Sequence, residues 1–192
     1  VTFMPKRRRP WARILGRTDS LLTKLLGDSG PLIQRTLGKT GLTMPVVSMG
    51  VMNADIPGLL RRSYELGIRH FDTAAGYQGG RNEEMVGSVI KELGVRQDVI
   101  IATKQHLRNR PPNVAEAKRQ FIEGVEGSLR RLQMDHVEIL YYHGVDSVED
   151  ANAGGPLEAL QTLKKQGKAR FIGLSTHKTS EILPEAMRQN IF

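Results

Sequence analysis

The sequence predicts an α/β fold, a (β/α)8 TIM barrel of which about five of the eight units lie within these 192 residues, preceded by a β-hairpin. Three observations predict it. From about residue 31 onward, short β-branched runs alternate with amphipathic stretches of helical spacing, the order in which β/α units are written. Successive strand starts lie about 23 to 37 residues apart, room for one crossover helix each. The turn after the first strand, VSMGVMNADIPG, has no G-x-G-x-x-G, which a doubly wound dinucleotide-binding sheet would carry there.

In chain order, residues 1–30 stand apart as a basic N-terminal extension, expected to be flexible. They hold seven Lys and Arg against two Asp, a charge of +5, while the rest of the chain carries 21 basic and 18 acidic groups, only +3. Blocks of like charge are usually solvated, and so balanced a body gives no basic face for a specific nucleic acid. The partial barrel then occupies residues 31–192. Leu32–Met44 reads as a hairpin turning at Gly38-Lys39-Thr40-Gly41. The strands expected next are Pro45–Gly50, Ile68–Ala74, Val99–Lys104, His136–His143 and Ala169–Ser175, each apolar along most of its length, as strands covered on both faces are. Helices are expected near 54–65, 82–93, 113–132 and 156–166, with a fifth from Ser180. Asn82 before Glu83 and Glu84 reads as an N-cap with acidic first-turn residues, and Gly67, Gly94 and Gly167 as stops.

Composition excludes several function classes. No apolar run approaches the ~18–20 residues of a membrane span. With no Cys there is no disulfide framework, thiolate nucleophile or Cys-held metal centre in the chain. Leu21–Leu26 is interrupted by Lys24 and is too short for an export signal, so a cytoplasmic location is expected.

A barrel carries its chemistry where its strands end. The polar residues at those ends are Asp72 and, in the following loop, Tyr77; Lys104; His143; and Ser175, Thr176 and His177. Each charge follows an apolar run and needs a partner, which Asp72 and Lys104 can supply to each other. An ordinary phenol, with a pKa of ~10, gives up its proton reluctantly near neutrality, and a neighbouring ammonium favours the phenolate. A histidine beside it can hold an oxygen on which negative charge builds. Taken alone, each residue has a structural explanation: an ion pair, a hydrogen-bonded histidine, a loop tyrosine. Together at consecutive strand ends they suit protonation of a carbonyl oxygen while hydride reaches the carbon, and a nicotinamide cofactor is implied because no side chain donates hydride. His106 and His177 read as loop residues, and Met49 and Met52 as packing around Gly50, which allows a ligand close approach to the backbone.

The segments RTLGKTGLTMPVVSMG, FDTAAGYQGGRNEEMVG, IIATK, SLRRLQMDHVEILYYH and LKKQGKARFIGLSTH, in this order over nearly all of residues 32–177, resemble the aldo-keto reductase superfamily. The resemblance implies an NAD(P)H-dependent carbonyl reductase, in which Tyr77 matches the general acid, Asp72 and Lys104 the pair that tunes it, and His143 the residue that orients the carbonyl. Ser175 matches a contact to the nicotinamide carboxamide. Thr176 stands where the family often has Asn, and Glu138 where it often has Asp. Gly50 and Met52 are further cofactor-side candidates. NADPH is the cofactor implied, with NADH also compatible, and a small carbonyl compound the substrate. Oligomeric state and substrate identity are not read from these residues. Five units predict a truncated piece of a longer enzyme or a barrel completed by another chain. A non-catalytic binding or regulatory module, or an inactive fragment, are the alternatives.

Overall fold

The computed structural model describes residues 32–107, 111–190 and 192; the basic extension over 1–30 lies outside them. Two short antiparallel strands come first, β1 (Gln34–Thr36) and β2 (Thr43–Pro45), with Arg35 opposite Met44. Their turn places Gly38 and Gly41 at φ of 50° and 73°, a left-handed region that glycine enters without a Cβ clash. Thr40 locks it by donating its hydroxyl to the Leu37 carbonyl at 2.6 Å.

A five-stranded parallel sheet follows in simple sequence order: β3 (Met49–Gly50), β4 (His70–Asp72), β5 (Ile100–Gln105), β6 (Val137–Tyr142) and β7 (Ala169–Leu174). The crossovers carry α1 (Pro57–Glu65), α2 (Arg81–Leu93), α3 (Val114–Leu132) and α5 (Gly154–Lys165), with a short α4 (Val148–Ala151) before the last of these and α6 (Thr179–Gln189) after β7. This is the partial barrel that the alternating pattern predicts. α4 forms between β6 and α5, where the sequence predicts no helix, and begins under a Ser147 cap on Asp150 N–H.

Two expectations are corrected. The strand expected over Pro45–Gly50 reaches the sheet only as Met49–Gly50, opposite Phe71 and Asp72. Pro45 belongs to the hairpin, and Val46 N–H extends that pairing to the Ile33 carbonyl at 2.9 Å, which leaves Val46 and Val47 exposed. Asn82 is not an N-cap. The helix begins one residue earlier, after Gly80 in a left-handed conformation, and Asn82 is fully buried with its amide turned away from the helix's own N–H groups. The stops hold at Gly67, Gly94 and Gly167, all at positive φ.

Period-two alternation divides the sheet between two cores. Phe71, Ile101, Leu140 and Ile172 meet the helices, where Phe121 and Leu160 are also wholly buried. Ile100, Ala102 and Ile139 face the opposite side, where Leu42 of the hairpin packs on them. The hairpin thus covers the barrel interior at the N-terminal ends of the strands. The opposite ends stay free for chemistry.

Candidate active site

Register places the site. Asp72 lies opposite Ala102, and Lys104 is two residues further along β5 on the same face, so both side chains rise from neighbouring strands on the barrel-interior side. Lys104 is buried at 7% exposure, where an unpaired ammonium would be costly. Its three N–H donors are all used, by the Asp72 carboxylate, by the Thr73 carbonyl at 2.8 Å and by the Tyr77 hydroxyl at 3.3 Å.

Tyr77 opens a 3-10 turn, Tyr77–Gly80, that follows β4. Its backbone N–H donates to the Ala74 carbonyl, and Ala75 N–H to the Lys104 carbonyl, so the loop continues the β4–β5 pairing until Tyr77 arrives over the lysine. His143 follows β6, with its N–H on the Gln105 carbonyl at 2.9 Å. Its ring meets Tyr77 edge-on, centroids 5.9 Å apart, and His106 at 6.1 Å. Burial first, then the Lys104 ammonium and His106, hold the His143 imidazole below its ordinary pKa. These surroundings favour the neutral ring. A cavity of about 340 Å³ opens beside it, lined by His106, Leu107, Tyr142, Gly144 and Asp150 as well as His143.

The four residues Asp72, Tyr77, Lys104 and His143 are thus brought together, in one connected cluster. Of the cofactor-side candidates, Gly50 lies opposite Asp72 and Ser175 N–H bonds the Tyr142 carbonyl beside His143. Ser175 accepts the Gly144 N–H at 3.1 Å, and its hydroxyl donates to no other described residue. Thr176 links its loop to the one after β6, donating to Asp146 at 3.1 Å, and accepts from Lys178 N–H. Asp146 also takes the His177 N–H and ring nitrogen, and these contacts draw its carboxyl down to about 2. Gly50 is exposed at the end of β3, with open space where a Cβ would stand. Met52 is half-exposed, its carbonyl accepting from Gln78. A Ser175 hydroxyl that donates to no described residue and the open space beside Gly50 are compatible with a flat amide-bearing ring such as nicotinamide. Among the described residues, no group of three or more His, Asp and Glu side chains is arranged to hold a metal ion, and no helix is long and apolar enough to cross a membrane.

Sequence reasoning missed the polar layer beneath this site. Thr73, Asn82, Glu83 and Thr103 are all fully buried, and they join the turn that carries Tyr77 to β4 and β5. Threonine in an apolar strand reads as an ordinary β-former. The only available signal was two adjacent polar residues, Asn82 and Glu83, in front of an apolar helix face.

Comparison with known proteins supports the family and the fold. The model of the aldo/keto reductase family matches residues 51–191. L-galactose dehydrogenase of Arabidopsis thaliana is 37% identical over 154 residues, which cover 73% of this chain and 47% of that protein. A probable voltage-gated potassium channel subunit beta from the same plant is 32% identical, covering 77% of this chain and 48% of its own length. The holo form of aldo-keto reductase AKR11C1 from Bacillus halodurans superposes with a TM-score of 0.64 at 32% identity, over 76% of this chain and 51% of that one. The chain spans about half the length of the curated relatives it matches.

Proposed function

The chain belongs to the aldo/keto reductase family, and from that premise we propose that it is the part of an NAD(P)H-dependent oxidoreductase that reduces an aldehyde or ketone to an alcohol, with Tyr77 as general acid. The observation that carries the reading is the contact of Tyr77 with Lys104, itself held by Asp72, beside the His143 ring at the ends of three neighbouring parallel strands.

NADPH, or NADH in its place, supplies hydride to the carbonyl carbon when bound. Ser175 would hold its carboxamide, Gly50 and Met52 would flank it, and Thr176 would shape the loop that presents Ser175. Tyr77 donates its hydroxyl proton to the carbonyl oxygen as charge builds there. The Lys104 ammonium, 3.3 Å from that hydroxyl, stabilises the oxygen left behind. Asp72 and the Thr73 carbonyl keep the ammonium from swinging away. His143, neutral at pH 7, donates one hydrogen bond to the same carbonyl oxygen without competing as an acid. The substrate is a small carbonyl compound, and the setting we propose is cytoplasmic.

Tyr77→Phe removes the acid and, with it, one of the three acceptors of the Lys104 ammonium. In the natural protein we expect kcat for a reactive aldehyde to fall by about 10²–10⁴-fold, the usual contribution of a positioned acid. Cofactor affinity, read by quenching of protein fluorescence, should stay within about threefold, because the phenol makes no uniform binding contact. Turnover by the variant at the parent rate would end the assignment. The likeness to a potassium channel beta subunit supports a second reading, a barrel that binds a partner with turnover incidental to it. On that reading the parent itself lacks turnover that depends on Tyr77.

A further inference from the structure

The geometry points to Asn82 and Glu83 as positioning residues that hold the Tyr77 phenol at Lys104. This inference rests on the reading of Tyr77 as the acid. The turn that carries Tyr77 runs through three consecutive left-handed residues, Gln78, Gly79 and Gly80, at φ of 51°, 66° and 94°. Such a run does not hold its own shape, since L side chains resist that region and glycine has no preference for it. Something outside the turn must fix it.

Gln78 itself reaches the Met52 and Ala54 carbonyls at 3.3 and 3.4 Å, and two adjacent side chains at the start of α2, both at 0% exposure, add shorter bonds from the buried side. Asn82 donates to the Val51 carbonyl at 2.7 Å and to the Ala54 carbonyl at 3.0 Å, and accepts the Thr73 hydroxyl at 2.7 Å. Glu83 accepts the Thr103 hydroxyl at 2.5 Å and pairs with Arg131 at 2.7 Å. Neither bonds a free N–H of its own helix, so capping does not explain them. Thr73 is the chain neighbour of Asp72, and Thr103 of Lys104. Strand alternation sends the two hydroxyls to the helix side while Asp72 and Lys104 face the site. Each anchor therefore ties the turn to the residue beside one of the groups that Tyr77 must meet. Thr73 closes the circuit, because its carbonyl also accepts from Lys104 at 2.8 Å. Arg131 shields the second anchor by lying across Gly80, where a Cβ would come within 2.9 Å of its side chain.

The test uses the full chain and two near-isosteric changes on β5, Thr103→Val and Thr103→Ser, with Asn82→Ala as a second probe. Val89→Ala, which hollows the same helix at a buried apolar position, controls for lost stability alone. The first readout needs no activity: the nuclear Overhauser cross-peak between the Tyr77 and His143 rings, whose centroids are 5.9 Å apart. Thr103→Val and Asn82→Ala should lose most of that cross-peak while folded, and Thr103→Ser and Val89→Ala should keep it. Where the parent turns over, the first two should lower kcat by about 10- to 100-fold, the scale of a misplacement near 1 Å, with the cofactor KM within about threefold. If Asn82→Ala does not fold, Thr103→Val decides alone. A cross-peak at parental intensity in Thr103→Val overturns the inference, as does its equal loss in Val89→Ala. Absence of turnover in the parent would instead count against Tyr77 as an acid and leaves the cross-peak test standing.

Discussion

At the scale of residues, protonation of the histidines is where structure and chemistry meet most directly. His143 and His70 are both held below the ordinary histidine pKa of 6.5, in each case chiefly by burial. Lys104 pushes His143 further the same way, whereas at His70 the carboxylate of Asp72 opposes part of the shift. The sign of the linkage follows. The unfolded chain binds protons at both rings as pH falls through 6.5, and the folded chain does not until lower pH. Stability is therefore complete above about 6.5 and declines as pH falls toward the folded-state values. Urea melts at pH 7.5 and 5.5 should show a lower midpoint at the acid pH, smaller in its shift for His70→Phe. Equal midpoints, or a His143 imidazole that titrates at or above 6.5 by NMR, would contradict the neutral ring the mechanism uses. Asp72, Lys104 and His143 were legible in the sequence because each is a polar residue closing an apolar strand. The buried role of Asn82 was not, because a polar residue before an acidic helix turn looks the same whether it caps the helix or turns inward.

Elements explain how those residues are kept still. α2 and α3 approach so closely that a Cβ on Gly87 would lie 2.2 Å from the Leu132 carbonyl oxygen. In an exposed helix Gly→Ala gains up to about 1 kcal/mol from propensity. Here the backbone of α3 cannot retreat without disturbing Arg131 and its bond to Glu83. Gly87→Ala should cost about 2–3 kcal/mol in chemical denaturation, the range of overpacked cores. A neutral or stabilising result would mean that the two helices separate freely. Periodicity made the strands and helices visible, and their boundaries mostly fell within a few residues of expectation. The first strand was the exception. An apolar run such as Pro45–Gly50 carries no mark of where hairpin pairing to Ile33 gives way to sheet pairing with Phe71. Its division is a tertiary fact.

For the whole molecule, the fold assigns its two ends different work. The hairpin buries Leu42 against Ile100, Ala102 and Ile139 at the N-terminal ends of the strands, and the cluster around Tyr77 occupies the C-terminal ends. Five parallel strands with β3 and β7 at the margins make up this chain's share of a fold, and the matched part of the chain spans about half the length of its curated relatives. The alternation of β and α signals made the barrel legible, while the aldehyde or ketone it would accept is not written in these units. The most direct measurement supplies the natural protein with an aldehyde and a nicotinamide cofactor deuterated at its transferable position, and reads the alcohol by mass spectrometry. Our account predicts an alcohol one mass unit heavier, formed at least about 10²-fold more slowly by Tyr77→Phe. An alcohol without deuterium, or one formed equally fast by both proteins, would contradict it.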